Sequence, residues 1–172
     1  MFKKLLFIIL MCYNSANAIA QQREVEANLK AAFIYNFIKY INWKAPADNP
    51  FIIAVIGTSP VYNSLQEIAK VESINGKKIV VVHFNNPDDI TTCNILFISA
   101  HSDYSLSSIL VRVGKGTLTI SEEPGYAEMG TAFNFVLVRD KLKFEANLNA
   151  IDAAGLKASS QLLKLAFIVN QK

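Results

Sequence analysis

The sequence predicts an α/β fold: a three-layer sandwich with a mostly parallel central sheet, an antiparallel edge hairpin and helices on both faces. Two observations support this class. Apolar runs without alternation, such as Phe51–Gly57 and Ile95–Ser99, are typical of strands that are buried on both faces of a parallel sheet. Helical segments separate these runs along the chain, as expected when helices cover both sides of such a sheet.

The first predicted element of the mature chain is a long helix, Glu24–Trp43. At about 100° per residue, most apolar side chains from Leu29 onward fall within roughly 200° of the helical wheel. Lys30 alone interrupts this stripe, and we expect its stem to lie along the apolar surface while its charge stays in water. Pro46 is predicted to end the helix, because it disfavours helical backbone in the preceding residue.

Caps and turns place the later elements. Ser59 and Pro60 suit the cap and first residue of a helix after the first strand. Arg139–Asp140 separates two alternating segments, which predicts an antiparallel hairpin. Gly114 is predicted to end a helix in the left-handed conformation. The remaining predictions are strands at Ile79–Phe84, Thr117–Ser121, Thr131–Val138 and Lys141–Ala146, and helices at Asp103–Val113, Asn147–Ala154 and Ser159–Val169.

The first twenty residues are organised like a secretory signal peptide. Lys3 and Lys4 give a positively charged start, Leu5–Met11 is an unbroken apolar run, and small residues predict cleavage after Ala18 or Ala20. The apolar run is far shorter than the roughly 20 residues that span a bilayer. We therefore expect a periplasmic protein that is not embedded in the membrane, with one domain over residues 23–172.

Composition excludes several classes of protein. The chain has 172 residues and is 52% hydrophobic, whereas disordered chains are poor in hydrophobic residues. Without Lys3 and Lys4, 15 basic residues face 14 acidic ones, so no nucleic-acid partner is expected.

Cys12 lies in the signal, and Met11 before it makes a lipoprotein signal the weaker alternative. Cys93 then has no internal disulfide partner, so we expect it to be a small buried hydrophobe, with an intermolecular disulfide or a redox role as the alternatives.

Five segments carry a resemblance to a known family. The strongest match contains the patterns Ala-Gly-Leu-Lys and Ser-Ser-x-Leu-Leu-x-Leu-Ala. The segments are Leu29–Trp43, Phe51–Gly57, Asn94–Ser99, Gly114–Glu122 and, above all, Asn147–Ala166. Over nearly all of the mature chain, the sequence resembles the YfiR-like family of small periplasmic proteins.

The resemblance implies a non-enzymatic regulator. The best-known member of the family is a periplasmic repressor that binds the sensor domain of an inner-membrane diguanylate cyclase, keeps cyclic di-GMP low and can be sequestered by an outer-membrane lipoprotein. That member looks disulfide-bridged, whereas this chain has no cysteine pair after the signal. Redox-gated behaviour is therefore not implied for this chain.

The sequence contains no pattern typical of an enzyme. His83 and His101 do not combine with Cys93 in a metal-ligand spacing. A Gly-x-Ser-x-Gly nucleophile elbow is missing, and Gly114–Gly116 precedes a strand, whereas a phosphate-binding loop precedes a helix. Glu122–Glu123 is expected to be a solvated loop pair. We expect no catalysis, no metal and no cofactor.

Loops that follow parallel strands gather at one edge of a sheet, and polar residues there are candidates for ligand binding. These residues are Thr58, Ser59, His101, Ser102 and Glu122. Hydroxyl and N–H groups at the starts of helices can hold a small anion. The alternative is structural, with Ser59 and Ser102 or Asp103 acting only as helix caps.

Two other features are candidates for contact with an envelope protein or with a second copy of the chain. The first predicted helix has a wider apolar stripe than one sheet face covers, and it carries Tyr35, Lys39 and Trp43. The glycine-flanked loop 125–130 carries Tyr126 and Met129. Two functions follow as hypotheses: a regulator that binds the sensor domain of a signalling enzyme, and a periplasmic sensor of a small ligand. Complete burial of the helix in the core is the alternative to a contact role.

Overall fold

The computed structural model describes the backbone of residues 2–43 and 50–169 and the side chains of residues 21–43 and 50–169. Helices and strands alternate through most of this length. The helices are α1 (Phe2–Tyr40), α2 (Val61–Val71), α3 (Leu106–Leu110), α4 (Leu148–Ala153) and α5 (Ser160–Leu163). The strands are β1 (Ile41–Asn42), β2 (Phe51–Ile56), β3 (Ser73–Ile74), β4 (Lys77–Phe84), β5 (Ile95–Ile98), β6 (Leu118–Ser121), β7 (Phe133–Val138), β8 (Lys141–Asn147), β9 (Lys157–Ala158) and β10 (Phe167–Val169).

An eight-stranded sheet lies at the centre, in the order β10-β8-β7-β6-β5-β2-β4-β3. Neighbouring strands are parallel except at two places, where β8 runs antiparallel to β7 and β3 runs antiparallel to β4. A separate two-stranded antiparallel sheet pairs β1 with β9. The predicted fold class, a mixed α/β protein with a mostly parallel large sheet, is confirmed.

The two faces of the sheet carry separate apolar cores. In β2, Ile53 and Val55 pack in the core that also contains residues of α1, α2, α4 and α5. Ala54 and Ile56 point to the opposite face and pack in the core that includes Ile109 of α3. Because both faces of this strand are covered, its sequence shows no alternation of apolar and polar residues.

The long helix α1 differs from its prediction at both ends. It begins upstream of Glu24, and it ends at Tyr40 instead of Trp43 because the next residues leave the helix to pair with β9. The Ser159 N–H donates a hydrogen bond of 2.8 Å to the Tyr40 carbonyl at this point. Pro46, which the sequence predicts to end the helix, lies outside the described residues. Across the described residues, no helix combines the length and the hydropathy that crossing a membrane requires.

The end of the chain also departs from its prediction. The helical segment expected over Ser159–Val169 is limited to α5, and Phe167–Val169 forms β10, which pairs in parallel with β8. The antiparallel hairpin β7–β8 is confirmed, but β10 covers it, so it is not the edge of the sheet. The free side of β8 offers hydrogen-bonding groups to β10. The residues of β10 are aromatic or β-branched, and such residues suit a strand.

The segment around α3 is shorter and differently capped than expected. It spans Leu106–Leu110 within the predicted Asp103–Val113, and the Ser105 hydroxyl caps it by accepting from the Ser108 N–H at 3.3 Å. A capping role for Ser102 or Asp103 is therefore wrong. Gly114 is not in the left-handed region, so the prediction that it ends the helix in that conformation is wrong. Upstream, α2 starts at Val61, one residue later than predicted, and Ser59 accepts from the Val61 N–H at 3.2 Å.

Candidate functional site

The carboxyl ends of β2, β5 and β6 border a cleft of about 390 Å³, as expected for the edge of a parallel sheet. Four of the five candidate ligand residues line it: Thr58, Ser59, His101 and Glu122. Ser102 does not line it, because it lies against Gly57. A Cβ atom on Gly57 would be 3.0 Å from the Cα and Cβ atoms of Ser102. The cleft is completed by α1, which contributes Arg23, Glu26, Ala27 and Lys30.

An ion-pair cluster closes the floor of the cleft. The Lys30 ammonium lies 2.7 Å from Glu122 Oε2 and 2.6 Å from Glu26 Oε1. Only 12% of the Lys30 side chain and 10% of the Glu122 side chain are exposed. The expectations that Lys30 reaches into water and that Glu122 is a solvated loop residue are therefore wrong. Packing of α1 against the sheet encloses both charges, and each neutralises the other.

Hydrogen bonds extend this cluster across three strand ends. Glu122 Oε1 lies 3.2 Å from the Ser99 hydroxyl and accepts from the Ala100 N–H at 3.3 Å. The Ser99 hydroxyl also lies 2.7 Å from the Thr58 carbonyl and accepts from the His101 N–H at 3.1 Å. The turns after β2, β5 and β6 are thus joined to one another, and Lys30 joins them to α1.

Electrostatics at the floor favour the charged state of Lys30. Burial by itself would lower the pKa of Lys30, but the hydrogen bonds and negative charges of Glu122 and Glu26 outweigh it, so the pKa is raised above its usual 10.5. The two acids also balance the charges of Lys30 and Arg23. Arg23 is exposed at the rim and forms no ion pair with any described residue. Its guanidinium is therefore the cleft's accessible cation.

The capacity of the cleft to hold an anion through backbone N–H groups is small. The Val61 N–H is bonded to the Ser59 hydroxyl, and the Thr58 N–H donates to the His101 carbonyl at 3.2 Å. These N–H groups serve the turns themselves. For metals, no three His, Cys, Asp or Glu side chains are grouped as ligands within the described part of the chain.

Three of the candidate partner residues, Tyr35, Lys39 and Trp43, line a second groove of about 440 Å³. The Trp43 ring stands edge-on to Phe51, the first residue of β2, so this groove lies at the amino ends of the strands, opposite the cleft. The Trp43 indole N–H donates to the Ile38 carbonyl at 2.8 Å.

A hydrogen bond and a cation–π contact shape the same groove. The Tyr35 hydroxyl donates to Glu72 at 2.7 Å, which raises the pKa of Tyr35, and the Lys39 ammonium lies 4.7 Å from the centre of the Tyr35 ring.

Tyr126 and Met129 lie outside this groove. Tyr126 is half-buried and packs against the apolar core on the α3 face, so it is less available than the sequence suggests. Met129 is 59% exposed. The five candidate partner residues therefore divide between two separate regions of the molecule.

A comparison with protein families matches residues 27–167 of the chain to a family described as YfiR/HmsC-like. The chain belongs to the YfiR/HmsC-like family. This confirms the resemblance seen in the sequence. YfiR/HmsC-like proteins are periplasmic regulatory proteins. The matched region contains Lys30 and Glu122, and it ends inside β10, whereas Arg23 and Glu26 precede it.

In this YfiR/HmsC-like chain, Cys93 is a free, buried thiol, as the sequence predicts. Burial raises its pKa to about 11, although a hydrogen bond from Thr117 opposes that shift. A buried, protonated thiol is a poor nucleophile, which argues against a link through Cys93 to another molecule.

Glu122 is among the residues predicted from the sequence, but its partner Lys30 is not, and neither is the ion pair between them. Lys30 and Glu122 are 92 residues apart in the sequence. No sequence pattern marks Ser99, which lies between the strand ends, as a candidate. One signal was available: Lys30 is a lone cation in an otherwise apolar helical stripe. A cation in that position needs a carboxylate when the stripe is buried.

Proposed function

We propose that the mature chain is a periplasmic, non-enzymatic regulator that binds the sensor domain of an inner-membrane signalling enzyme of the diguanylate cyclase type. Membership of the YfiR/HmsC-like family over residues 27–167 carries this proposal. The signal-peptide pattern of residues 1–20, with cleavage after Ala18 or Ala20, supports the export that the proposal requires. Binding in the periplasm then connects an envelope signal to the synthesis of cyclic di-GMP inside the cell.

We propose the groove of Tyr35, Lys39 and Trp43 as a contact surface for this partner. Aromatic side chains are enriched among the residues that dominate binding energy at protein interfaces. Hydrogen bonds already hold Trp43 and Tyr35 in the groove, so little side-chain freedom is lost on binding. The exposed Met129 and its neighbour Tyr126 form a second, separate candidate surface. A second copy of the chain is the alternative occupant of either surface.

Binding of the mature chain to purified periplasmic sensor domains of the cell's membrane diguanylate cyclases tests the proposal. We expect one of them to bind, and Lys39→Glu and Trp43→Ala to weaken that binding roughly tenfold or more. Tyr104→Ala is the matched control, because Tyr104 is 39% exposed and lines neither groove nor cleft. If no sensor domain binds the wild type, the regulatory proposal is wrong. If the groove variants bind normally, only the choice of surface is wrong.

The cleft at the carboxyl ends of the strands favours a second candidate function, a sensor of a small ligand. Its volume of about 390 Å³ is within the usual range for small-molecule sites, and Arg23 offers an accessible charge at its rim. A thermal-shift screen with nucleotides, amino acids and inorganic anions tests this function, because a ligand that binds the folded state raises the melting temperature. A true hit should lose its effect in His101→Ala. A screen without hits rejects this function.

A further inference from the structure

The hairpin β7–β8 has one face that packs on α1, except near the turn, where Leu137 is 61% exposed, and one face that α1 does not cover. On the covered face, Phe133, Phe135 and Phe144 pack against the rings of Phe33 and Phe37 in α1, with centroid distances of 4.8–6.1 Å. The alternate residues of both strands point to the other face, because neighbouring side chains of a strand lie on opposite sides.

Cross-strand pairing identifies the residues of the uncovered face. Val136 is opposite Lys143, and Val138 is opposite Lys141. Directly opposed residues share a face of the sheet, so these four side chains form two adjacent rows. None of the four belongs to either apolar core of the described residues. Val138, Lys141 and Lys143 are exposed and Val136 is half-buried, so the core that α3 forms with β2 and β5 does not enclose them.

The same face of the sheet continues onto the edge strand through a polar row, in which Asn134 is fully buried. Phe167 of β10 pairs with Glu145 of β8, which in turn pairs with Asn134 of β7, so the three residues form the next row on the same face. Phe167 is 50% exposed and Val138 is 39% exposed. The Asn134 amide donates to Glu145 at 3.0 Å, which occupies one oxygen of that carboxylate.

The same hairpin carries an excess of positive charge. Residues 136–143 include Arg139, Lys141 and Lys143 against one acid, Asp140, and the other acid of the hairpin is Glu145 in the row beside Lys143. All three cations are exposed, and none forms an ion pair with a residue that the structure describes. We define the basic hairpin face as Val136, Val138, Lys141, Lys143 and Phe167, with Arg139 at its tip.

We infer that the basic hairpin face is a docking surface for an acidic, partly apolar protein surface, and that this surface belongs to the proposed periplasmic sensor domain. The inference rests on the regulatory function proposed above. Burial of Val136, Val138 and Phe167 against the partner removes apolar surface from water, which favours binding. Carboxylates on the partner neutralise the free lysines. This contact is separate from the groove at the amino ends of the strands.

Two other occupants fit the charges less well. A second copy on a two-fold axis would place the same lysines against each other, because such an interface is self-complementary. Each cation that lies near an anionic membrane raises the membrane-binding constant by only about fivefold. Three cations together raise this constant roughly a hundredfold, which is less than the contribution of a single myristoyl chain. A single myristoyl chain gives only marginal membrane binding.

Charge reversal on the face tests the inference. Lys141→Glu/Lys143→Glu is compared with Lys78→Glu/Lys115→Glu, which changes the net charge equally at exposed sites away from the hairpin. Association with the purified sensor domains is measured at low and high salt. We expect the hairpin variant to associate roughly tenfold more slowly or worse at low salt, with the difference shrinking as salt rises. The control should associate within about threefold of the wild type.

Val136→Ser tests the apolar part, and circular dichroism melting confirms that each variant is folded. We expect Val136→Ser to dissociate faster while associating at the normal rate. Normal binding by the hairpin variant overturns the inference and leaves the regulatory function standing. Failure of the wild type to bind any sensor domain overturns both.

The alternative occupants are checked with the same variants. Loss of a wild-type dimer in the hairpin variant, seen by sedimentation, would assign the face to a second copy instead. Binding of the wild type to vesicles with phosphatidylglycerol, lost in the hairpin variant, would assign it to the membrane. Either result overturns the inference.

Discussion

Removal of the Lys30 ammonium is expected to destabilise the fold more than neutralisation of its partner Glu122. The two side chains are 12% and 10% exposed, and their charged atoms are 2.7 Å apart. Loss of one member of a buried pair typically costs about 3–5 kcal/mol, because the other charge remains buried without compensation. Lys30→Met leaves the Glu122 carboxylate with only the Ser99 hydroxyl and the Ala100 N–H. We therefore expect a loss of about 3 kcal/mol or more.

Glu122→Gln should be milder, because Lys30 keeps a second carboxylate. Glu26 Oε1 lies 2.6 Å from the ammonium, and its side chain is 33% exposed, so this remaining pair is also hydrated. The expected loss is that of a hydrogen bond to a charged group, about 1.5–3 kcal/mol. The double variant Lys30→Met/Glu122→Gln should lose less than the sum of the two single variants, because it leaves no buried charge unpaired.

Urea unfolding of the mature chain at neutral pH measures the three free energies of unfolding. The pH dependence provides an independent check. The pKa of Lys30 is raised above 10.5 in the folded state, so its contribution is complete below that pH and is lost as the pH rises through the folded pKa. The stability difference between wild type and Lys30→Met should be constant from neutral pH to about 10 and should shrink above it. Equal losses in the two single variants, or a larger loss in Glu122→Gln, would refute the reasoning.

Three further predictions concern the C-terminal helix, the thiol and the export signal. Leu162→Ala should lower the free energy of unfolding by about 2–5 kcal/mol, because Leu162 is only 3% exposed. Leu165→Ala should lower it by less than about 0.5 kcal/mol, because Leu165 is 68% exposed. Similar losses for the two variants in urea unfolding would contradict this prediction. Because burial raises the pKa of Cys93 to about 11, an aromatic disulfide reagent at pH 8 should label it only on unfolding, and rapid labelling of folded protein would be inconsistent with that environment. Protein from a secreting host should begin at Ile19 or Gln21 on N-terminal sequencing, and a retained Met1 in the periplasmic fraction would argue against export by this signal.

The strands and the hairpin could be predicted from the sequence because their signals are local. Buried strands such as Phe51–Ile56 are continuous apolar runs, and Arg139–Asp140 adopts the positive φ values that a tight hairpin turn needs. The position of the cleft was also predictable, because loops after parallel strands meet at one edge whatever their sequences. The family could be identified because its short motifs are also local signals in the sequence.

Tertiary structure decided the features that depend on distant partners. The Lys30–Glu122 pair joins residues that lie 92 positions apart, and it forms because packing of α1 on the sheet removes both charges from water. Phe167–Val169 became a strand because β8 had a free side, although the sequence around it has a helical pattern. Tyr40 ends α1 because β9 pairs with the residues that follow. In each case the stabilising contact joins two distant segments, so the sequence of one segment gives at most a partial signal and does not identify the partner.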